Sequence, residues 1–421
     1  MPFHAQLLRR SAFACGAGMV VLMVNAVPGT AGASVLAPRA APQATAASAP
    51  AFKVVPAPDP DPQVAGTTDV GFTAVSAASA TDALAVGPNP TEAPVQGPFA
   101  DHWNGTKWTG RQLPAPPGST ASLLGVADVA PGNGWAVGFS TSTSTDQDQT
   151  LIEHWNGTGW SIVPSPDPAG GSTGSDELWA IAAVSQTDIW AAGDDFGQGA
   201  SIQPLFANYN GTRWTAVAPP PDSGGVMLGL TAIAPDNVWA VGDISSQTFT
   251  SAHWNGTSWS TVSTPSVNAG PDPIEELTAV TAVSAANLWA SGWVGNIDNE
   301  NKLEPIILHS AGGAWSRVTA PNSGSEGSRL NGITSDGSDD VFAVGTTQDS
   351  NGSLLTLIEQ FNGSSWKAIP SPDPGKQGSL TDNVLTAAGS AAGDIWAVGA
   401  FNKQGDCCDL PLALQATLAG S

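Results

Sequence analysis

The chain has 421 residues; 41% are hydrophobic and 12% charged, which supplies a large core and excludes wholesale disorder. Gly (48) and Pro (34) are abundant enough to exclude an architecture of long helices. Acidic residues outnumber basic ones 36 to 13, and a net charge of −23 speaks against nucleic acid or an anionic membrane as partner. The aromatic balance is unusual, with 16 Trp and 12 Phe against one Tyr.

Residues 1–33 read as a signal peptide. Arg9 and Arg10 form the basic region, Met19 to Val24 the heart of the apolar run, and Ala31-Gly32-Ala33 the cleavage motif. Residues 34–51 are rich in Ala, Pro and Ser and read as a flexible leader. No later stretch has the ~20 apolar residues of a membrane span. The protein is therefore expected to be secreted, soluble and monomeric.

From residue 52 to 421 the chain repeats itself. A tetrapeptide of the type Trp-Ala-Val-Gly starts at Leu84, Trp135, Trp190, Trp239, Trp289, Phe342 and Trp396, at spacings of 51, 55, 49, 50, 53 and 54. A second motif, Trp-Asn-Gly-Thr-x-Trp, follows the first six copies and ends at Trp108, Trp160, Trp214, Trp259, Trp315 and Trp366. Each repeat reads as four short strands. The first has the pattern L-x-[AG]-[VI], as in Leu277 to Val280 and Leu230 to Ile233. An Asx turn leads into the second strand, which carries the Trp-Ala-Val-Gly motif. The third ends in the aromatic before Asn-Gly. That dipeptide predicts a type I′ hairpin into the fourth strand, which prolines terminate.

Seven four-stranded units of about 50 residues predict an all-β, seven-bladed β-propeller. The last repeat stops after three strands. Phe52 to Pro60 matches Trp366 to Pro374 in register, so the N-terminal strand (52–58) is expected to supply the missing outer strand and close the ring. These motifs resemble the seven-bladed kelch and galactose-oxidase-like propellers. They also resemble the W-A-V-G / W-N-G-T-x-W repeat proteins of secreted bacterial proteomes. The resemblance implies a fold and leaves function open. The Asn-Gly-Thr-x-Trp turn is similar in part to the sialidase Asp-box, whose Asp is offset or absent here. A galactose-oxidase copper site would need several tyrosines, and only Tyr209 exists. A sialidase arginine triad is not expected either, because Arg111, Arg213 and Arg317 fall on or beside fourth strands.

Residues shared by all repeats read as architecture. His102, His154, His253 and His309 occupy one repeat position, filled elsewhere by Asn208, Gln360 and Gln415. They are expected to make a repeated hydrogen bond within each blade and not a shared metal site, because blades stand ~10 Å apart. Fourteen of the 16 Trp fall on template positions and are expected to fill the space between blades. Two do not. Trp179 stands where the first strand otherwise has Thr73, Thr231, Thr278 or Thr386, and is a candidate ligand platform lining the axial channel. Trp293 follows a second strand and is a second candidate, expected in an exposed loop.

The oxygen-rich run containing Asp298, Asn299 and Glu300 is a candidate Ca²⁺ site, since calcium takes about six to eight oxygens. No other cofactor is indicated. Cys407 and Cys408 are expected to be oxidised outside the cell, to each other or to a second molecule. The Asn-Gly-Thr/Ser sequons are explained by hairpins. The function that fits best is a non-enzymatic binding or scaffold propeller recognising an extracellular glycan or protein. The alternative is a polysaccharide-active glycoside hydrolase or lyase using the loop carboxylates Asp146, Asp148, Asp194, Asp195, Glu275 and Glu276.

Overall fold

The computed structural model describes residues 49–60, 71–89, 97–168, 174–197, 201–221, 223–244, 248–266, 273–296, 299–321, 326–336, 340–375, 383–391, 393–402 and 409–418. From residue 50 onward they form seven four-stranded antiparallel sheets, the blades of a β-propeller. Inner strands of successive blades pack against one another, and the seventh packs against the first. Among the described residues no helix is long and apolar enough to cross a membrane.

The ring closes as the repeat predicts. Lys53–Val54 pairs antiparallel with Asp409–Thr417, placing Lys53 opposite Gln415 and Val54 opposite Leu414. The N-terminal strand thereby becomes the outer strand of blade 7. Phe52 is buried and packs edge-on against Phe342 of blade 6 at 6.3 Å.

The tryptophans form wedges between blades. Twelve of the fourteen template Trp are buried; Trp160 and Trp254 are half-buried. The second-strand indole of one blade meets the outer-strand indole of the next edge-to-face, as in Trp190–Trp259 (5.5 Å, 84°) and Trp289–Trp366 (5.4 Å, 72°). The buried indole N–H groups of these four residues have no hydrogen-bond acceptor. Edge-to-face stacking aims a polar indole edge at a neighbouring ring, which offsets part of that cost.

Two local readings are corrected. The Asn-Gly turn is not type I′, because Asn104 and its equivalents keep negative φ; among the described residues only Asp146 (57°) is positive without being glycine. The turn is instead a four-residue loop organised by the Asn side chain. Asn104 Oδ1 accepts from Thr106 N–H (3.1 Å), Lys107 N–H (3.1 Å) and Thr106 Oγ1 (2.7 Å), while Gly105 takes φ +86°. This explains the Asn-Gly-Thr/Ser sequence of these turns, since each of the three residues has a fixed task.

The second correction concerns register. The inner strands of blades 2 to 7 carry a β-bulge beside the motif glycine, and in blade 4 it lies between Met227 and Gly229, opposite Gly242 and Val241. Blade 5 bulges between Leu277 and Ala279. Leu228, not Thr231, is therefore the counterpart of Thr278. The bulge also explains the motif glycine. A Cβ on Gly193 would lie 2.0 Å from the Glu177 carbonyl oxygen, and one on Gly242 1.9 Å from that of Val226.

Candidate functional site

The repeated hydrogen bond is present. His102 meets Asp82 at 2.6 Å, His154 meets Asn133 at 2.9 Å, His253 meets Asn237 at 3.0 Å and His309 meets Asn287 at 2.8 Å. Asn208 donates to Asp188 (2.8 Å) and Gln360 to Asp340 (3.0 Å). Blade 7 differs, with Thr417 donating to Asp394 in place of Gln415. Each imidazole is thus bound to its own blade. Burial lowers the pKa of His154, His253 and His309. Among the described residues no group of His, Cys, Asp or Glu is arranged to hold a metal ion.

The bulge residues Leu124, Trp179, Leu228, Thr278, Asn331 and Thr386 form a ring around the axis with Thr73, which precedes the inner strand of blade 1 and makes the same hydrogen bonds as Thr278. All are half-buried. On one side of the ring they clamp adjacent blades. Thr278 donates to Leu330 O (3.0 Å), Asn331 to Leu385 O (2.7 Å), Thr386 to Phe72 O (2.5 Å) and Thr73 to Leu123 O (2.8 Å). On the other side, blades 2, 3 and 4 substitute Leu124, Trp179 and Leu228. The leucines have no polar group to donate, and the Trp179 Nε1–H turns to Asp194 Oδ1 at 2.8 Å. A polar arc of clamps therefore faces an apolar, aromatic arc.

Carboxyl groups gather beside the apolar arc. Asp194 follows the motif glycine Gly193 on the second strand, Asp188–Gly197, which pairs with the inner strand, Gly174–Ser185. Burial raises its pKa to about 7, with added repulsion from Asp148 of blade 2, Asp243 of blade 4 and its neighbour Asp195; the Trp179 hydrogen bond works against that rise. Asp195 is hydrogen-bonded to Asp176, which is fully buried, and its pKa is raised mainly by burial. Thr141 Oγ1 donates to Asp148 at 2.6 Å. This end of the propeller carries the connections between blades, and it offers an indole and aliphatic platform beside clustered carboxyls.

Trp293 is not in a loop. The second strand of blade 5 runs on to Asn296, and Trp293 lies half-buried between Glu276 and Pro305. It holds the position of Asp194, two blades away, so both off-template tryptophans face the same end of the ring. Glu276 interacts favourably with Arg329 of blade 6, opposing the effect of burial on the guanidinium. Of the carboxylates expected in loops, Asp148, Asp194, Asp195, Glu275 and Glu276 all lie in strands. Strand extension beyond the motif glycine carries them there. Asp146 alone lies in a loop, as expected. The run expected as a calcium loop is largely a hairpin, with Asn296 paired to Asn299; Asn299 and Glu300 open the strand ending at Ala311, and Asp298 lies outside the described residues. Cys407 and Cys408 also lie outside them.

The leucines of the apolar arc do not stand out in the sequence pattern. Their signal was the loss of Thr at the bulge position, which the misregistered blade 4 obscured. No family model and no curated protein matches the chain. Its fold is similar to that in a solved structure of YCF48 bound to D1 peptide, with 15% identity and a TM-score of 0.48, covering 87% of this chain and 96% of that one. It is also similar to Aleuria aurantia lectin, a fungal six-bladed β-propeller with a fucose recognition mode, with 15% identity and a TM-score of 0.45, covering 72% and 95%. At this identity the likeness is one of fold.

Proposed function

We propose that the chain is a secreted, non-enzymatic binding propeller that recognises an extracellular glycan or protein at the mouth over blades 2 to 4. One observation carries this reading: the departures from the repeat stand together. Leu124, Trp179 and Leu228 replace the clamp, and Asp194 and Asp243 sit beside them. An indole next to carboxyls suits a sugar, whose C–H face stacks and whose hydroxyls donate. It also suits a protein segment with aliphatic and basic side chains. The basic, apolar N-terminus with its Ala-Gly-Ala motif supports export.

A panel of glycans and extracellular proteins, titrated at micromolar concentrations, tests the proposal. The expected result is a bound ligand that Trp179→Ala weakens at least tenfold, about 1.4 kcal/mol, with the melting temperature little changed. A panel with no binder, or a variant that binds like the parent, contradicts it. The hydrolase or lyase reading keeps one observation in its favour. Burial and the neighbouring carboxyls raise the pKa of Asp194, the direction a general acid requires. Reducing-end release from polysaccharides, abolished by Asp194→Asn, would support that second reading.

A further inference from the structure

The opposite mouth of the ring, where inner strands turn into second strands, contains a cleft of about 550 Å³. Inner strands of blades 1, 2 and 3 form its wall, in which Val126, Val129, Ile181 and Val184 stand beside the polar Ser76, Ser185 and Gln186. Asp128 is the one ionisable residue in that wall.

Asp128 breaks the repeat. At its register position the other blades carry Ala77, Ala183, Ala232, Ala282, Ser335 and Ser390. Its side chain is only 8% exposed. Oδ2 accepts the Ala78 N–H of blade 1 at 3.2 Å, while Oδ1 is buried without a hydrogen-bond partner. An unmatched buried carboxyl oxygen is costly, and the six sister blades fold with Ala or Ser at this position. Asp82 of blade 1, which is held by His102, adds further negative charge nearby. Burial and Asp82 together push Asp128 up to about 7, so a cation beside it would draw out its ionised form.

We propose that this cleft is a site for a small organic ammonium ion, with Asp128 as the counter-charge and the Val and Ile side chains around its alkyl part. The proposal is independent of the reading of the other mouth.

The probe is n-butylammonium chloride, with n-butanol and sodium chloride as controls, followed by calorimetric titration and thermal melting. Asp128→Ala installs the residue of four sister blades and is expected to fold. Asp128→Asn preserves the shape and removes the charge. The expected result is saturable binding of n-butylammonium to the parent chain, weakened at least about tenfold in both variants and unchanged in Trp179→Ala, with neither control reproducing it. Equal responses to n-butylammonium and n-butanol, or a variant that binds like the parent, would overturn the proposal.

Discussion

Trp179 shows how one substitution changes the use of a position. Thr at the equivalent site joins two blades with a single hydroxyl, as Thr278 does with Leu330 O. An indole is too large for that task, so it is fixed instead by Asp194 of its own blade and presents a half-buried face. The interior carboxyls set a second residue-scale property. Burial raises Asp101 and Glu359 to about 8, and Glu153 to about 7. Asp128 and Asp194 also rise to about 7. In the unfolded chain such groups lose their protons near pH 4. Between these limits the native state binds more protons, so stability falls as pH rises from about 4 to about 8. The histidines with lowered pKa act in the opposite sense, but only below about pH 6.5. The melting temperature is therefore expected to be several degrees higher near pH 5 than near pH 8, with Glu359→Gln reducing the slope. A profile that is flat or rises across that range contradicts this account.

At the scale of the element, the bulged inner strand and the motif glycine belong together. Gly193→Ala would drive a Cβ into the Glu177 carbonyl, and the expected cost is about 2–4 kcal/mol, read from denaturant unfolding. A loss under about 0.5 kcal/mol would show that the strand yields freely. The sequence made the four strands, the Asx hydrogen bonds and the wedge indoles legible, because each recurs at one offset in nearly every repeat. It did not make the bulge legible. In blade 4 the run Met227 to Ile233 offers two similar small-and-apolar matches, and only the pairing of Met227 with Gly242 across the sheet decides between them. Asp128 is hidden in the sequence for a related reason. Its neighbours Ala127 and Val129 keep the apolar pattern, and its distinctness emerges only when the inner strands are compared in register.

For the whole molecule, closure by Lys53–Val54 is the long-range feature that the repeat announces most clearly. Deleting residues 50–58 leaves Asp409–Thr417 as an open edge strand and uncovers Phe342. The expected outcome is a lower melting temperature and concentration-dependent association by light scattering; a truncated chain that remains monomeric and equally stable contradicts the closure account. The central claim is that the ring has a clamped arc and a ligand arc. The combined variant Leu124→Thr, Trp179→Thr and Leu228→Thr restores the clamp residue on blades 2 to 4. Calorimetric titration of this variant with the best ligand from the panel tests the claim directly. The prediction is a chain that melts at or above the parent temperature and has lost binding, whereas a variant that folds and binds with parental affinity would contradict it.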